Sequence, residues 1–276
     1  LYFQFVKIIY AILIIFYLSL KVSAQQASRA PIGPRALSMG GVSSVFHDSW
    51  SIFNNPAGVT DIKQLTALLA YKTIFDFIPF NTVSAGVAMP TGIGSFSFSV
   101  FRFGDDVFNS QMASLSIAQK TGIIRLGLKL NYLQYNIEGF GSKSTLLSDI
   151  GVVADLTPQL RFGAHIYNFT QSSISADNRE KVPTVISLGM AYSPKEDIVL
   201  AIEGEKDIDL EPDLKLGLEY QAIEKVKVRT GFSTLTNTHS FGGGLQLNRF
   251  GLDYGIRIDR KLGHTHNFGL TFQINE

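Results

Sequence analysis

The 276-residue sequence predicts an all-β protein, an antiparallel transmembrane β-barrel of about 14 strands with an N-terminal plug-like segment. Three observations carry this expectation. From near residue 65 almost to the C-terminus, apolar and polar residues alternate with a period of two, which puts each set on one side of a strand. The alternating segments run for about 10–13 residues, longer than the 5–6 usual in a soluble sheet and suited to a tilted membrane-crossing strand. The connections alternate between short and long, as in barrels with tight turns on one side of the membrane and extended loops on the other.

Taken in chain order, Lys7 is followed by the almost purely apolar stretch Ile8–Leu20, then Val22-Ser23-Ala24 and the polar Gln25-Gln26. A basic residue, a short apolar core and small residues at −3 and −1 describe a cleavable export signal over 1–24. The apolar stretch falls well short of the ~20 residues of a spanning helix. Leu1-Tyr2-Phe3-Gln4 resembles part of a protease-tag site and is set aside from the fold. The chain has no Cys, so neither a lipid anchor at the cleavage site nor a disulfide framework is available. Loss of Lys7 and Lys21 with the signal leaves the 24 basic and 23 acidic residues near balance, with no basic surplus to point to nucleic acid. The remaining length suits one large all-β domain.

Residues 25–62 precede the first strand and contain "HDSWSIFNNPAGVT", with the single Trp of the chain. Pro56 after Asn55 restricts the backbone and favours a tight turn, with Gly58 free to take positive φ. Asn54 and Asn55 can hydrogen-bond the local backbone there, and Trp50, Ile52 and Phe53 need a burial that a barrel mouth offers. A plug or lid that turns sharply into the first strand is the expectation; an ordinary N-terminal extension would differ only in doing no gating.

The barrel is expected over 63–276, with strands near 65–76, 79–90, 92–104, 110–120, 122–136, 145–156, 158–169, 182–193, 196–207, 213–222, 225–234, 238–248, 249–260 and 263–275. In the fifth, Ile124, Leu126, Leu128, Leu130 and Tyr132 share one face, and Arg125, Gly127, Lys129 and Asn131 the other. The tenth sets Leu214, Leu216, Leu218 and Tyr220 against Asp213, Lys215, Gly217 and Glu219. The eleventh opposes Val226, Val228, Thr230 and Phe232 to Lys225, Lys227, Arg229 and Gly231, and the thirteenth opposes Phe250, Leu252, Tyr254, Ile256 and Ile258 to Gly251, Asp253, Gly255, Arg257 and Asp259. A soluble sandwich with an apolar inside would give the same alternation. Strand length, Gly recurring on the polar face (Gly127, Gly163, Gly217, Gly231, Gly255) and aromatics toward strand ends (Tyr132, Tyr220, Phe250) favour the barrel with a polar lumen. The even-numbered connections shrink to Thr91, Thr121, Thr157, Pro194-Lys195, Ile223-Glu224 and a direct join at Arg249, whereas odd ones include 105–109, 138–144 and 170–181. Short even connections place both termini in the periplasm of a bacterial outer membrane; twelve strands is the nearest alternative count.

Few residues suggest chemistry. His264 and His266 share a strand face and could hold a metal, but no third ligand is near in sequence, and they read better as lumen or rim groups. "GFGSKST" at 139–145 lacks the G-x-x-x-x-G-K-[ST] spacing of a phosphate loop, and neither G-x-S-x-G nor H-E-x-x-H occurs. No catalytic residue, metal or cofactor is expected. Asp253 points the same way as Arg257, and Arg125 the same way as Lys129. Such charges, Arg229 included, either pair within a wet lumen or line a conduit.

Two separated motifs resemble one family. "GPRALSMGGVSSVFHDSWSIFNNPAG" is similar to the N-terminal signature of the PorV/PorQ proteins, G-x-R-A-x-x-M-G-G, an acidic segment and N-P-A-G, and "GLDYGIRIDRKLGHTHNFGLTFQ" resembles their closing hairpin. Asp48 stands alone where a paired acidic segment is usual, and Asn267 replaces a common basic residue. The resemblance implies a FadL-like barrel whose plug motif comprises Asp48, Trp50, Asn55, Pro56, Ala57 and Gly58, set in outer-membrane lipid. It further implies a non-enzymatic part in type IX protein secretion, with secretion machinery or cargo bearing a C-terminal sorting domain as partners. FadL-like relatives instead move hydrophobic molecules through a lateral opening, and this is the alternative. The charged inward residues weigh toward the secretion reading at this stage.

Overall fold

The computed structural model describes residues 31–174 and 181–274; the expected export signal lies outside the described residues. Fourteen antiparallel strands follow one another around a closed barrel, each pairing with its neighbours in sequence and the last with the first. They are β1 (Leu65–Ile74), β2 (Phe77–Thr91), β3 (Gly94–Gly104), β4 (Phe108–Thr121), β5 (Ile124–Ile137), β6 (Gly141–Asp155), β7 (Leu160–Tyr167), β8 (Val185–Lys195), β9 (Ile198–Asp207), β10 (Asp213–Ile223), β11 (Val226–Ser233), β12 (Thr238–Leu247), β13 (Phe250–Asp259) and β14 (Gly263–Ile274). Closure pairs Leu65 with Ile274, so β1 begins and β14 ends at the same end of the barrel, called here the near end.

The alternation resolves in the membrane sense. Along β5 the apolar set, Ile124 to Tyr132, faces outward and is exposed, and Arg125, Lys129 and Asn131 are buried inside. In β10, Leu214, Leu216 and Tyr220 are exposed while Lys215 and Glu219 are buried. An exposed belt of Leu, Ile and aromatic side chains around a wall of polar inward residues is stable only with lipid outside.

Every near-end connection is short: Gly92-Ile93, Gly122-Ile123, Leu156–Gln159, Glu196-Asp197, Glu224-Lys225 and Asn248-Arg249. The far-end loops are less extended than expected. Those near 105–109 and 138–144 reduce to Asp105–Val107 and Glu138–Phe140, because β4 and β6 start early and zip to β3 and β5 down to the turn. The β7–β8 connection is the long one, and residues 168–174 and 181–184 are its described parts. Its neighbour β7 is short, and β6 pairs with it only from Ile150 to Asp155.

The outer belt sets the cost of a charge there. Leu128→Arg on β5 is expected to destabilise the barrel by about 2–4 kcal/mol if the position lies near the bilayer midplane. Chemical denaturation in lipid vesicles measures this, with the turn variant Ile93→Arg as a control costing about 0–1 kcal/mol.

Candidate functional site: the plugged lumen

Residues 31–62 fill the barrel interior. Pro34 opens the short helix α1 (Pro34–Ser38), where its missing N–H costs nothing and its fixed φ suits the first helical position. Gly40 and Gly41, at φ 71° and 95°, reverse the chain after it. Two 3₁₀ segments follow, Ser49–Ile52 and Pro56–Asp61. Asn55 leads into the second and accepts from the Ala57 amide at 3.1 Å. Gly58 does not take the positive φ expected from sequence; it lies inside this 3₁₀ segment, where a Cβ would strike the Ser51 hydroxyl and the Phe46 carbonyl.

Inward glycines let the plug reach the wall. Gly127 and Gly151 are paired across β5 and β6, and a Cβ on either would run into Pro56, Ala57 or the Asn55 side chain. Gly163 faces the backbone of Ser44 and Val45, Gly217 faces Met39, and Gly231 meets the backbone at Met39 and Gly40. Gly242 and Gly255 press on Ser38, and Gly269 lies against Trp50. The recurrence of Gly that sequence linked to a crowded, curved lumen is therefore a belt of contact with the plug.

Between these contacts, charge holds the plug. Arg35 donates to Glu219 through Nε (2.9 Å) and Nη2 (2.8 Å) and to Asp48 through Nη1 (2.5 Å), and it stacks 4.1 Å over the Phe46 ring. Glu219 also takes Arg229 Nε at 2.6 Å, and Arg229 reaches Asp253 at 2.6 Å. The buried Glu203 accepts the Ser43 and Ser44 amides (2.9 and 2.7 Å) and the Ser44 hydroxyl (2.6 Å). Asp61 is held by Arg125 (Nε 3.1 Å, Nη2 2.8 Å) and by His47 (2.7 Å). Lys129 donates to the Phe53 and Asn54 carbonyls (2.9 and 2.8 Å) and lies 3.6 Å from Asp149, whose other oxygen accepts the Asn168 amide at the base of the long far-end connection. The Asn55 amide donates to the carbonyls of Ser44 (2.5 Å), Val152 (3.1 Å) and Ala164 (3.2 Å). Sequence marked Arg35 only as the Arg of the G-x-R-A motif and did not single out Asp61, Glu203 or Asp149, whose only signal was charge on a plug segment or on an inward parity.

The charges expected in the lumen are all inward, and Arg125, Lys129, Arg229 and Asp253 are neutralised in pairs. Arg257 has no carboxylate within ion-pair distance among the described residues, and the same holds for the buried Lys72 on β1. The expectation that the charged inward residues weigh against an apolar conduit needs correction. Toward the far end, β3 to β8 turn Phe101, Phe103, Met112, Leu133, Tyr135, Leu147, Tyr167 and Val185 inward. With Val182 of the far-end connection, these form one apolar cluster that reaches down to Trp50, Ile52, Phe53 and Val59 of the plug.

His264 and His266 are rim groups on the outer face. Asp76, in the β1–β2 turn, takes His264 Nδ1 on one oxygen and His266 Nε2 on the other, each at 3.2 Å. Tyr254 binds His266 Nδ1 at 2.7 Å, so the cluster fastens the seam where the barrel closes. Among the described residues no three His, Asp or Glu side chains are arranged to hold a metal.

Two outcomes test this seating. Gly231→Ala should drive the plug backbone off β11, seen as faster amide exchange across 34–46 with the strands unchanged. Burial alone would raise the Asp61 carboxyl, but hydrogen bonds from His47 and Arg125 outweigh it and hold its pKa well below the usual range. A depressed carboxyl contributes its stability above the unfolded pKa of about 3.9 and loses it as pH falls through the folded value. Plug protection is therefore expected to be flat from neutrality to about pH 5 and to fall below about pH 4, and Asp61→Asn should flatten that acid step.

No family model matches the sequence, and no curated protein matches it. Solved structures do. The toluene transporter TbuX of Ralstonia pickettii superposes with a TM-score of 0.70 over 90% of this chain and 99% of that chain, at 12% identity. The P. putida toluene transporter TodX gives 0.71 over 90% and 100% at 11% identity, and a Pseudomonas aeruginosa FadL homologue 0.65 over 88% and 98% at 11%. At such identity the likeness is one of fold, and the chain has the closed fourteen-stranded architecture of the FadL-like outer-membrane barrels.

Proposed function

We propose that this protein is a non-enzymatic passage for hydrophobic small molecules across a bacterial outer membrane, with both chain ends in the periplasm and the segment 31–62 as its gate. The apolar cluster running from Val182 and Tyr167 through Leu133 and Tyr135 to Phe53 and Ile52 carries the reading. A wet lumen of paired charges has no use for such a strip, whereas a greasy solute gains by sliding along it. Lys72, beside Ala70 on the inward face of β1, and Arg257 on β13 offer cations to a solute with one polar end. The likeness to barrels described as toluene transporters supports the same direction.

A second reading, a secretion-associated adaptor, rests on the resemblance to the PorV/PorQ proteins. The matched residues have structural work of their own: Arg35, Met39, Gly40 and Asn55 seat the plug, and Tyr254 and His266 close the seam. The motifs thus support a shared plug design more strongly than a shared partner.

Uptake into vesicles reconstituted with the protein separates the two. Radiolabelled toluene should enter faster than into protein-free vesicles, Leu133→Asp should cut that rate several-fold, and joint substitution of Pro56 and Gly58 should change it. Uptake at the protein-free rate, with secretion components recovered in a mild-detergent pull-down, would replace the transporter reading with the adaptor one.

A further inference from the structure

The near-end turns are of two kinds. Gly92-Ile93, Gly122-Ile123 and Leu156–Gln159, which join β2 to β3, β4 to β5 and β6 to β7, carry no charged side chain. Ile93, Ile123 and Leu156 stand on their tips, 70%, 57% and 51% exposed. The remaining three turns, Glu196-Asp197, Glu224-Lys225 and Asn248-Arg249, are charged at the tip. Exposed apolar residues on that side flank the turns and do not form their tips: Ile223 precedes Glu224-Lys225, and Leu247 and Phe250 bracket Asn248-Arg249. Lys120, close to the uncharged tips, lies on the inward parity and is 3.6 Å from Asp61 of the plug.

The uncharged tips are continuous with the lipid-facing wall. Met89, Ile117, Ile124 and Leu126 lie just above them on the outer face of the same strands, all exposed. Four of the six strands they join are the tall ones: β2, β4, β5 and β6 have 15, 14, 14 and 15 residues, while β3 and β7 have 11 and 8 and β8 to β13 have between 8 and 11. An isoleucine at a tip gains by leaving water, and a carboxylate or ammonium at a tip loses by the same move. A level belt of fixed height leaves Ile93 and Ile123 in water or drags Glu196 and Glu224 into the acyl boundary.

We infer that the barrel sits tilted in its bilayer, with the β2–β3, β4–β5 and β6–β7 turns sunk into the boundary between headgroups and acyl chains and the three charged turns standing in water. Lipid is the occupant because these tips extend a surface that lipid already covers. The tilt is independent of what crosses the lumen.

The chain has no Cys, so single substitutions can carry a nitroxide label without other changes. Ile93→Cys, Ile123→Cys and Leu156→Cys are compared with Glu196→Cys, Glu224→Cys and Arg249→Cys in phosphatidylcholine–phosphatidylglycerol vesicles, with Leu128→Cys as the lipid reference. Collision with a water-soluble nickel chelate, relative to oxygen, should be several-fold lower at the first three than at the second three and should approach the reference. Three sites on each side keep the comparison intact if one variant fails to fold. Equal accessibility on the two sides, six water-exposed tips included, would overturn the inference.

Discussion

The structure depends on backbone meeting backbone at the inner wall. A fourteen-stranded barrel is too wide for its own side chains to fill and too narrow to accept a folded segment over bulky ones. Glycine at the facing pairs Gly127–Gly151 and Gly242–Gly255 removes one layer of side chains, so the plug main chain rests on the strands themselves. Close approach then decides what else is possible. Plug amides and carbonyls cut off from water must find partners in the wall, and the wall supplies Glu203 for the Ser43 and Ser44 amides and Lys129 for the Phe53 and Asn54 carbonyls. The charges are placed where the plug presents dipoles or opposite charges, which is why so few of them face open lumen.

That arrangement divides the interior. Beside the plug, ions of β9 to β13 are satisfied within the protein, as in the chain Arg35–Glu219–Arg229–Asp253, with Arg257 as the exception. Breaking one member leaves a charge buried without compensation, so the network resists a change of shape. The far-end half of β3 to β8 makes no such demand, since Phe101, Met112 and Leu133 touch their neighbours without direction. Ionic seating of the plug toward the near end and along β10 to β13 thus stands beside an apolar packing toward the far end. Asp149 joins the two, binding Lys129 under the plug and the Asn168 amide at the base of the far-end connection.

What the sequence made legible follows from what a period of two records. It states which residues share a face, and the tall outward sets of β5 and β10 fixed the membrane sense once strand length was added. It does not record a change of chemistry along one face. In β5 the inward parity runs Arg125, Lys129, Asn131 and then Leu133 and Tyr135; the last two look like a fading pattern, though they begin the apolar strip. Contacts across long separations were equally silent. Asp76 meets His264 188 residues later, and Glu219 meets Arg35 184 residues earlier. The glycines were visible as a recurrence, and only the position of the plug gives them their cause.

The same distinction separates resemblance from role. The N-terminal signature names residues that must be small, rigid or able to bridge main chain: Gly40 against β11, Pro56 against Gly151, Asn55 across Ser44, Val152 and Ala164. Any barrel that keeps a segment of this shape in its lumen needs those properties, whatever it carries or binds. Likeness in such a motif and likeness in overall fold therefore both report on how the lumen is closed. Neither reports on Phe101, Leu133 and Tyr135, or on Lys72 and Arg257, which lie outside the matched motifs' seating contacts with charge and main chain. A role must therefore be argued from the site's own residues and not from the motif or the fold.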